Sequence, residues 1–223
     1  MRVASFALPL AALFVGCSVD VQDGVGPRVR VPNVQGVVLR TTSPAQGLEV
    51  DLRTDAGQEV ATTTTRRSGS FGFADVTPGT WEIKVSAGGP GDFESVTRGF
   101  QLGPDPAPLS LPPVDVHAYG ASAIEPVDGA SVTAPSFIEP LIFRWTRPDM
   151  PGVTAHVQLY DAAGSPVWFS SALQTDQVPW NGLGNQGTYQ GQPVGPGQYT
   201  WRVKFILPDS SEGRTGSRRL ALT

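Results

Sequence analysis

Two histidines, His117 and His156, supply all the imidazole groups available for acid–base or metal chemistry in this chain of 223 residues. Zinc sites usually pair such a residue with a second ligand at short spacing, as in His-x3-His or His-Glu-x-x-His, and neither histidine has one. The chain also lacks a Gly-x-Ser-x-Gly motif and a phosphate-binding Gly-x4-Gly-Lys-Ser/Thr loop. We therefore predict a protein that is not an enzyme, with no catalytic residue, metal or cofactor. A Ser-His-Asp triad assembled by folding stays open.

Carboxylates are the other groups that could do chemistry, and several stand singly beside turn residues: Asp92, Glu94, Asp149 and Asp161. Asp is common at such positions because its side chain accepts hydrogen bonds from the backbone of the turn. No Asp-x-Asp-x-Asp-Gly calcium loop is present. We interpret these carboxylates as turn residues. A pair acting as general acid and base is the alternative, which small β domains seldom support because they rarely enclose a cleft.

Trp168 is the aromatic residue with two open interpretations. In an alternating strand it lies on the opposite face from Val167 and Phe169, so one of the two faces leaves a large side chain near solvent. Packing in a small β core is one interpretation, because large aromatics dominate such cores. The other is contact with a protein partner or a glycan, because exposed Trp is enriched in binding hot spots.

The amino-acid composition restricts the kinds of fold that could position the histidines, carboxylates and Trp168. The chain has 26 Gly and 21 Pro, a density that excludes helical bundles because both residues disfavour helix interiors. The hydrophobic fraction of 39% still supports a core. The net charge of −4 offers no basic field for nucleic acid or an anionic membrane.

Alternating patterns predict strands in both halves of the chain. Apolar residues recur at every second position in 48–52, 81–85 and 199–205, and turn residues rich in Gly, Pro and Asp separate such segments. The pattern indicates an all-β fold with two antiparallel β-sandwich domains in tandem. We place these domains at 33–117 and 118–223, after a signal peptide and a short tether.

The N-terminus predicts a lipid anchor. Arg2 precedes an apolar stretch at 3–15, too short to span a bilayer, and the single cysteine, Cys17, follows Gly16. This end resembles the lipobox of bacterial lipoproteins. The resemblance implies removal of residues 1–16, fatty acylation of Cys17 and, because Ser18 follows, transfer to the outer membrane. A buried thiol after an ordinary cleaved signal is the alternative.

Residues 17–32 then form the lipidated N-terminus and a flexible tether. Their Gly and Pro content and lack of a sustained pattern indicate a chain with an r.m.s. reach of about 20 Å and a contour of about 50 Å.

The first β domain resembles the carboxypeptidase regulatory-like family. The resemblance rests on segments 36–38, 48–52, 69–73 and 76–81, of which the Gly-x-Phe-x-Phe followed by a Pro-Gly-aromatic turn is the most specific. It implies a transthyretin-like sandwich that acts as a non-catalytic accessory module.

The second β domain is similar to an Ig-like module, the C-terminal domain of the flagellar hook-capping protein. The segments that carry this similarity are 157–161, 180–182 and 194–201, with fibronectin-like features at 125–130. The similarity implies a fold and no particular function.

Taken together, these features predict a non-enzymatic, outer-membrane-anchored lipoprotein that acts as a structural or protein-interaction module of the cell envelope. Its expected contacts are the membrane, through acyl chains on Cys17, and an envelope protein, with no nucleic acid. A surface module that binds carbohydrate or peptidoglycan is the alternative.

Overall fold

The computed structural model describes residues 31–104 and 107–223. Cys17 and residues 1–30 lie outside the described residues. The described part is all-β, as predicted, and besides strands it contains one short 3-10 helix, Gly187–Tyr189. Within the described ranges no helix is both long and apolar enough to cross a membrane. Pro32–Thr223 form one compact unit.

The first half of this unit, which we call the N-terminal sandwich, contains nine strands in chain order. They are β1 (Val34–Arg40), β2 (Ser43–Pro44), β3 (Glu49–Thr54), β4 (Glu59–Thr64), β5 (Ser70–Phe73), β6 (Gly79–Ser86), β7 (Ser95–Leu102), β8 (Leu109–Ser110) and β9 (Val114–Asp115).

The second half, the C-terminal sandwich, contains nine further strands. They are β10 (Ser122–Glu125), β11 (Ala130–Val132), β12 (Leu141–Thr146), β13 (Thr154–Asp161), β14 (Pro166–Phe169), β15 (Gln177–Trp180), β16 (Gly197–Ile206), β17 (Glu212–Arg214) and β18 (Arg218–Leu222).

The N-terminal sandwich has two layers. One is the antiparallel run β4-β3-β6-β7, and the other is built on β1, which pairs with β5 and β2. The short strands β8 and β9 flank Pro112 and Pro113 and pair with β1 in parallel, which departs from the purely antiparallel prediction. The two prolines interrupt the pairing because they lack the N–H that a ladder needs.

The C-terminal sandwich also has two layers. A small sheet has the order β10-β12-β15, and a larger one is built on β16, which pairs with β13 on one side and β18 on the other. β14 pairs with β13, and β11 pairs with β18 in parallel.

A short strand joins the large sheets of the two sandwiches. β17 pairs with the end of β16 on one side and with the start of β7 on the other, and Glu212 faces both Ile206 and Thr97. We call this junction the seam. The large sheet therefore continues from β14 to β4 through both sandwiches. The predicted boundary between 33–117 and 118–223 falls within this compact unit and stays a prediction.

The cores of the two sandwiches lie on the same face of the continuous sheet. Alternate residues of β16 are buried from Tyr199 to Phe205, as the period-2 pattern predicts. At the seam, Val96, Gly213 and Phe205 are cross-strand partners and all are buried. One hydrophobic cluster consequently extends from Val34 to Leu222.

The pairing also fixes how far apart the two ends of this unit lie. β7 and β16 run in the same direction, because each is antiparallel to β17. From the level of Ile206, β16 extends back nine residues to Gly197, and β7 extends five residues forward from Thr97 to Leu102. This path is about 45 Å long at a rise of about 3.3 Å per residue.

Candidate functional site

The two histidines pack against an aromatic ring and a backbone carbonyl, respectively. The ring of His117 packs edge-on against Tyr119, with centroids 4.8 Å apart, and its backbone bridges to Asp92. His156 is partly buried on β13, and its Nδ1 lies 3.3 Å from the backbone oxygen of Ser170. Across residues 31–104 and 107–223, no three His, Cys, Asp or Glu side chains are grouped to hold a metal ion. The absence of catalytic residues, metal and cofactor stays a prediction.

Of the carboxylates singled out in the sequence, Asp161 is a turn residue as predicted, whereas Asp92 has a buried side chain. Asp161 accepts hydrogen bonds from the backbone N–H groups of Ala163 and Ser165 and from the Tyr189 hydroxyl, as its turn assignment predicts. The bond from Ser165 is the largest cause of the lowered pKa of Asp161. Asp92 differs, because its side chain is only 1% exposed and pairs with Arg40 at 2.8 Å.

Asp92 also borders a cleft of about 450 Å³ beside the seam, together with Phe93, Ser122 and Arg218. Its second carboxylate oxygen, Oδ1, is buried without a hydrogen-bond partner. The turn interpretation of Asp92 is therefore incomplete, because its carboxylate also neutralises a guanidinium from β1.

The seam is held by close packing and one buried cation. The ring of Phe93 lies against Phe205, with centroids 6.0 Å apart, and occupies the space that a side chain at Gly213 would need. Arg98, 7% exposed, donates to the backbone oxygens of Pro112 and Pro113 at 3.0 and 3.1 Å. It also forms an ion pair with Asp209, in the turn between β16 and β17. The packing of Phe93 on Phe205 and the ion pair of Arg98 with Asp209 join the two sandwiches, whereas the bonds to Pro112 and Pro113 lie within the N-terminal one.

Trp168 belongs to an aromatic cluster inside the C-terminal sandwich. Its ring stacks on Phe143 with centroids 5.9 Å apart and lies 5.9 Å from Trp180. Phe143 in turn contacts Trp201, which is fully buried. Trp168 is only partly buried, so it forms the rim of the cluster.

A β-bulge explains why alternation alone did not place Trp168. Leu159 pairs with Trp168 whereas the next residue, Tyr160, pairs with Pro166, which leaves Val167 as an extra residue. A bulge of this kind breaks the period of two, so that Val167 and Trp168 can both turn towards the core. The role of Trp168 as a partner or glycan contact stays a prediction.

An exposed apolar turn lies next to this aromatic rim. The backbone N–H of Ser136 donates to the carbonyl of Glu139, and the N–H of Glu139 donates to Ser136 Oγ. The turn presents Phe137 and Ile138, which are 87% and 89% exposed. We call residues 136–139 the tip.

The base of the tip is fixed by a close backbone approach. A Cβ at Gly182 would lie 2.3 Å from the carbonyl oxygen of Pro135, and Gly182 has a φ of +82°. Glycine is needed there for both reasons. This contact places the 181–184 loop, including Leu183 at 42% exposure, beside the tip.

Between the tip and the cluster lies a groove of about 360 Å³. Its lining is aromatic and proline-rich with one amide: Phe137, Pro140, Trp168, Pro179, Trp180 and Asn181. Tip and groove together form the apolar end of the C-terminal sandwich and are the candidate functional site. A surface of this composition can bury apolar groups or stack against a flat ring.

Sequence reasoning singled out Trp168 but missed Phe137 and Ile138. The available signal was an apolar pair in a segment without alternation, bracketed by Pro135 and Pro140. Prolines at such spacing disfavour strand and helix alike, so the pair could have been assigned to a loop.

The family model described as a carboxypeptidase regulatory-like domain matches residues 33–108. This match confirms the predicted kind of domain in the first half of the chain. No curated protein matches the chain.

Among solved structures, dimeric latent PorU from Porphyromonas gingivalis is similar at 16% identity and a TM-score of 0.35, over 87% of this chain and 17% of that chain. BcpA, the major pilin subunit of Bacillus cereus, is similar at 11% identity and a TM-score of 0.35, over 85% and 69%. The fibronectin(III)-like modules of CbhA from Clostridium thermocellum are similar at 13% identity and a TM-score of 0.30, over 82% of this chain and 80% of that chain.

This chain spans less than two thirds of the first of these structures, PorU. All three TM-scores lie below 0.5, so these likenesses support no statement about the fold or the function of this chain. The similarity to the flagellar hook-capping module and the lipobox are not tested by these comparisons and stay predictions.

Proposed function

We propose that this protein is a non-enzymatic lipoprotein of the bacterial cell envelope, anchored through fatty acids on Cys17 to the outer membrane. Its two sandwiches act as a stiff spacer that carries a protein-interaction surface away from the anchor. The tether at 17–32 links the acylated cysteine to the first strand.

The observation that supports this proposal best is the continuous sheet across the seam. Two modules joined only by a linker reorient freely, whereas here β17 is hydrogen-bonded to strands of both sandwiches. The buried Arg98 on β7 adds an ion pair across the same junction, to Asp209 in the turn before β17. Such a junction keeps the distance between the two ends constant, as a spacer requires.

The anchor is tested by labelling cells with a radioactive or clickable fatty acid. The wild-type chain should incorporate label and fractionate with the outer membrane, and Cys17→Ala should lose both properties while the folded unit stays intact. Ser18→Ala is the matched control that keeps the thiol. An unlabelled wild-type chain would contradict the anchor.

The stiffness is tested separately, with spin labels at exposed positions on the two sandwiches and measurement of the distance between them. A single narrow distance distribution is expected. A broad distribution in the wild-type chain would contradict the spacer role.

A glycan-binding role is the second candidate, favoured by the groove that Trp168 lines with Asn181. Indole rings stack on flat apolar faces, and the amide offers a donor and an acceptor for hydroxyl groups. Cosedimentation with isolated peptidoglycan should then fall on Trp168→Ala and persist in Trp81→Ala, a partly buried indole of the N-terminal sandwich. Equal binding by both variants would exclude the groove.

A further inference from the structure

We propose that the tip, with Phe137 and Ile138 leading, inserts into the interfacial layer of a lipid bilayer. The proposal goes beyond acylation of Cys17 and does not depend on it. The ligand is a phospholipid surface of low net charge.

The shape of the apolar surface is the first argument. Phe137 and Ile138 are neighbours on a turn and are 87% and 89% exposed, so they project from the body of the sandwich. The two hydrogen bonds between Ser136 and Glu139 fix this turn before any partner is present. Insertion therefore needs little ordering of the chain.

The area of the surface is the second argument. Two exposed side chains of this size offer roughly 300 Å². A stable protein interface covers about 800 Å² on each partner. A lipid surface needs no matching shape, because apolar side chains gain by leaving water wherever hydrocarbon is present.

The residues around the tip suit the boundary between water and hydrocarbon. Trp168 lines the groove behind Phe137, and tryptophan is enriched at the level of lipid headgroups. Leu183 is also exposed beside the tip. Both can contact the headgroup region once the leading side chains are inserted.

Charge sets the kind of lipid. Residues 133–140 contain one charged side chain, Glu139, and no Lys or Arg. A carboxylate is repelled by anionic headgroups, and no cation in this segment offsets that repulsion. We infer a shallow apolar contact with neutral lipid that does not weaken as salt rises.

The position of the tip gives the contact a consequence for how the unit is held at the membrane. Leu222, at the end of β18, pairs with Gly197, and Thr223 donates to the carbonyl of Val132, just before the tip. Asn33 instead bonds to Val76, at the far end of the N-terminal sandwich. With Cys17 acylated and the tip inserted in the same bilayer, the unit would be held to that membrane at two points, through the tether at one end and through the tip at the other.

The test uses residues 32–223, which contain the whole compact core and neither the acylation site nor the apolar N-terminus. Flotation with phosphatidylcholine vesicles should recover this chain. Phe137→Ser/Ile138→Ser should lower the partition coefficient at least tenfold. Val127→Ser is the matched control, because Val127 is 61% exposed but precedes β11, whereas the tip follows it.

A second measurement reports depth. Brominated phosphatidylcholine should quench the fluorescence of Trp168, measured as the difference from Trp168→Phe, in the wild-type chain and not in the double variant. Adding phosphatidylglycerol to the vesicles should not strengthen binding. Failure of the wild-type chain to float, or equal flotation of the double variant, would overturn the proposal, and neither outcome bears on acylation of Cys17.

Discussion

At both the seam and the tip, apolar side chains reach the boundary of a sandwich, but they are buried at the seam and exposed at the tip. At the seam, Phe93 is 1% exposed because β17 and Phe205 cover it. At the tip, Phe137 is 87% exposed and no described residue covers it.

The difference shows that the fold can bury such residues where two sandwiches meet. The β7 edge would expose unpaired N–H and C=O groups without β17, and exposed edges promote association with other chains. The C-terminal sandwich covers that edge and presents its own apolar residues at the opposite end. The seam therefore contributes stability, and the tip is available for contacts.

The largest expected effect lies at the seam. Gly213→Ala places a Cβ 2.6 Å from the ring of Phe93, which cannot move away because it packs on Phe205. We expect unfolding free energy to fall by about 3 kcal/mol, measured by urea denaturation. Gly216→Ala, three residues away with open space around its Cβ, should stay within about 0.5 kcal/mol. Equal losses in the two variants would contradict the close packing.

Arg98→Met should lower the unfolding free energy by about 2 kcal/mol, measured by urea denaturation. It removes the ion pair with Asp209 across the seam and the two bonds that hold the Pro112–Pro113 segment against β7. Asp209→Asn is the comparison, because Asp209 is half exposed and Arg98 keeps its hydrogen bonds to the carbonyls of Pro112 and Pro113 in this variant. The Asn variant should lose clearly less stability, and a larger loss would assign the main contribution to the ion pair.

Trp168→Ala should cost about 1.5 kcal/mol, between the seam variants and the tip. The substitution removes stacking on Phe143 and contact with Trp180, but part of the side chain was already in water. A thermal melt of the variant measures the loss. An unchanged melting temperature would mean that the indole contributes to binding and not to packing.

Phe137→Ser and Ile138→Ser should each change unfolding free energy by less than about 0.5 kcal/mol, because neither side chain is buried. Urea denaturation checks this directly. A large loss would show that the tip packs on the sandwich, and would remove the contrast with the seam.

The smallest effect concerns pH, at the ion pair of Asp128 with Arg219. Hydrogen bonds from Arg219 lower the pKa of Asp128 from its ordinary 3.8 to about 2. A lowered carboxyl pKa stabilises the fold above pH 4, and the stabilisation is lost as the pH falls towards 2. The difference in melting temperature between wild type and Asp128→Asn should therefore shrink from pH 5 to pH 2. A constant difference would show that the charge contributes nothing.

Local sequence pattern predicted much of the fold. The alternation in 199–205 predicted β16, and the carboxypeptidase regulatory-like segments predicted the domain that matches at 33–108. These features are local, because side-chain alternation and turn chemistry depend on residues a few positions apart.

The seam and the tip could not be predicted in the same way. The pairing of β17 with β7 joins residues more than a hundred positions apart. In addition, β17 has only three residues, which is too short for an alternating pattern to be recognised in the sequence. The bulge at Val167 shifts the strand phase, and the adjacent Pro166 marks an interruption without specifying which residue is the extra one. The solvent exposure of Phe137 depends on residues that are distant in the sequence and become its neighbours only in the folded chain.

The registry of β7, β17 and β16 has a mechanical consequence. Asn33 and the tip lie at opposite ends of these strands, so a pull between them acts parallel to the strand axes. The hydrogen bonds that cross the seam are then loaded in shear and share the force at once, instead of opening one by one as in peeling. The same three-residue strand that closes an edge thus makes the unit resist tension along its length.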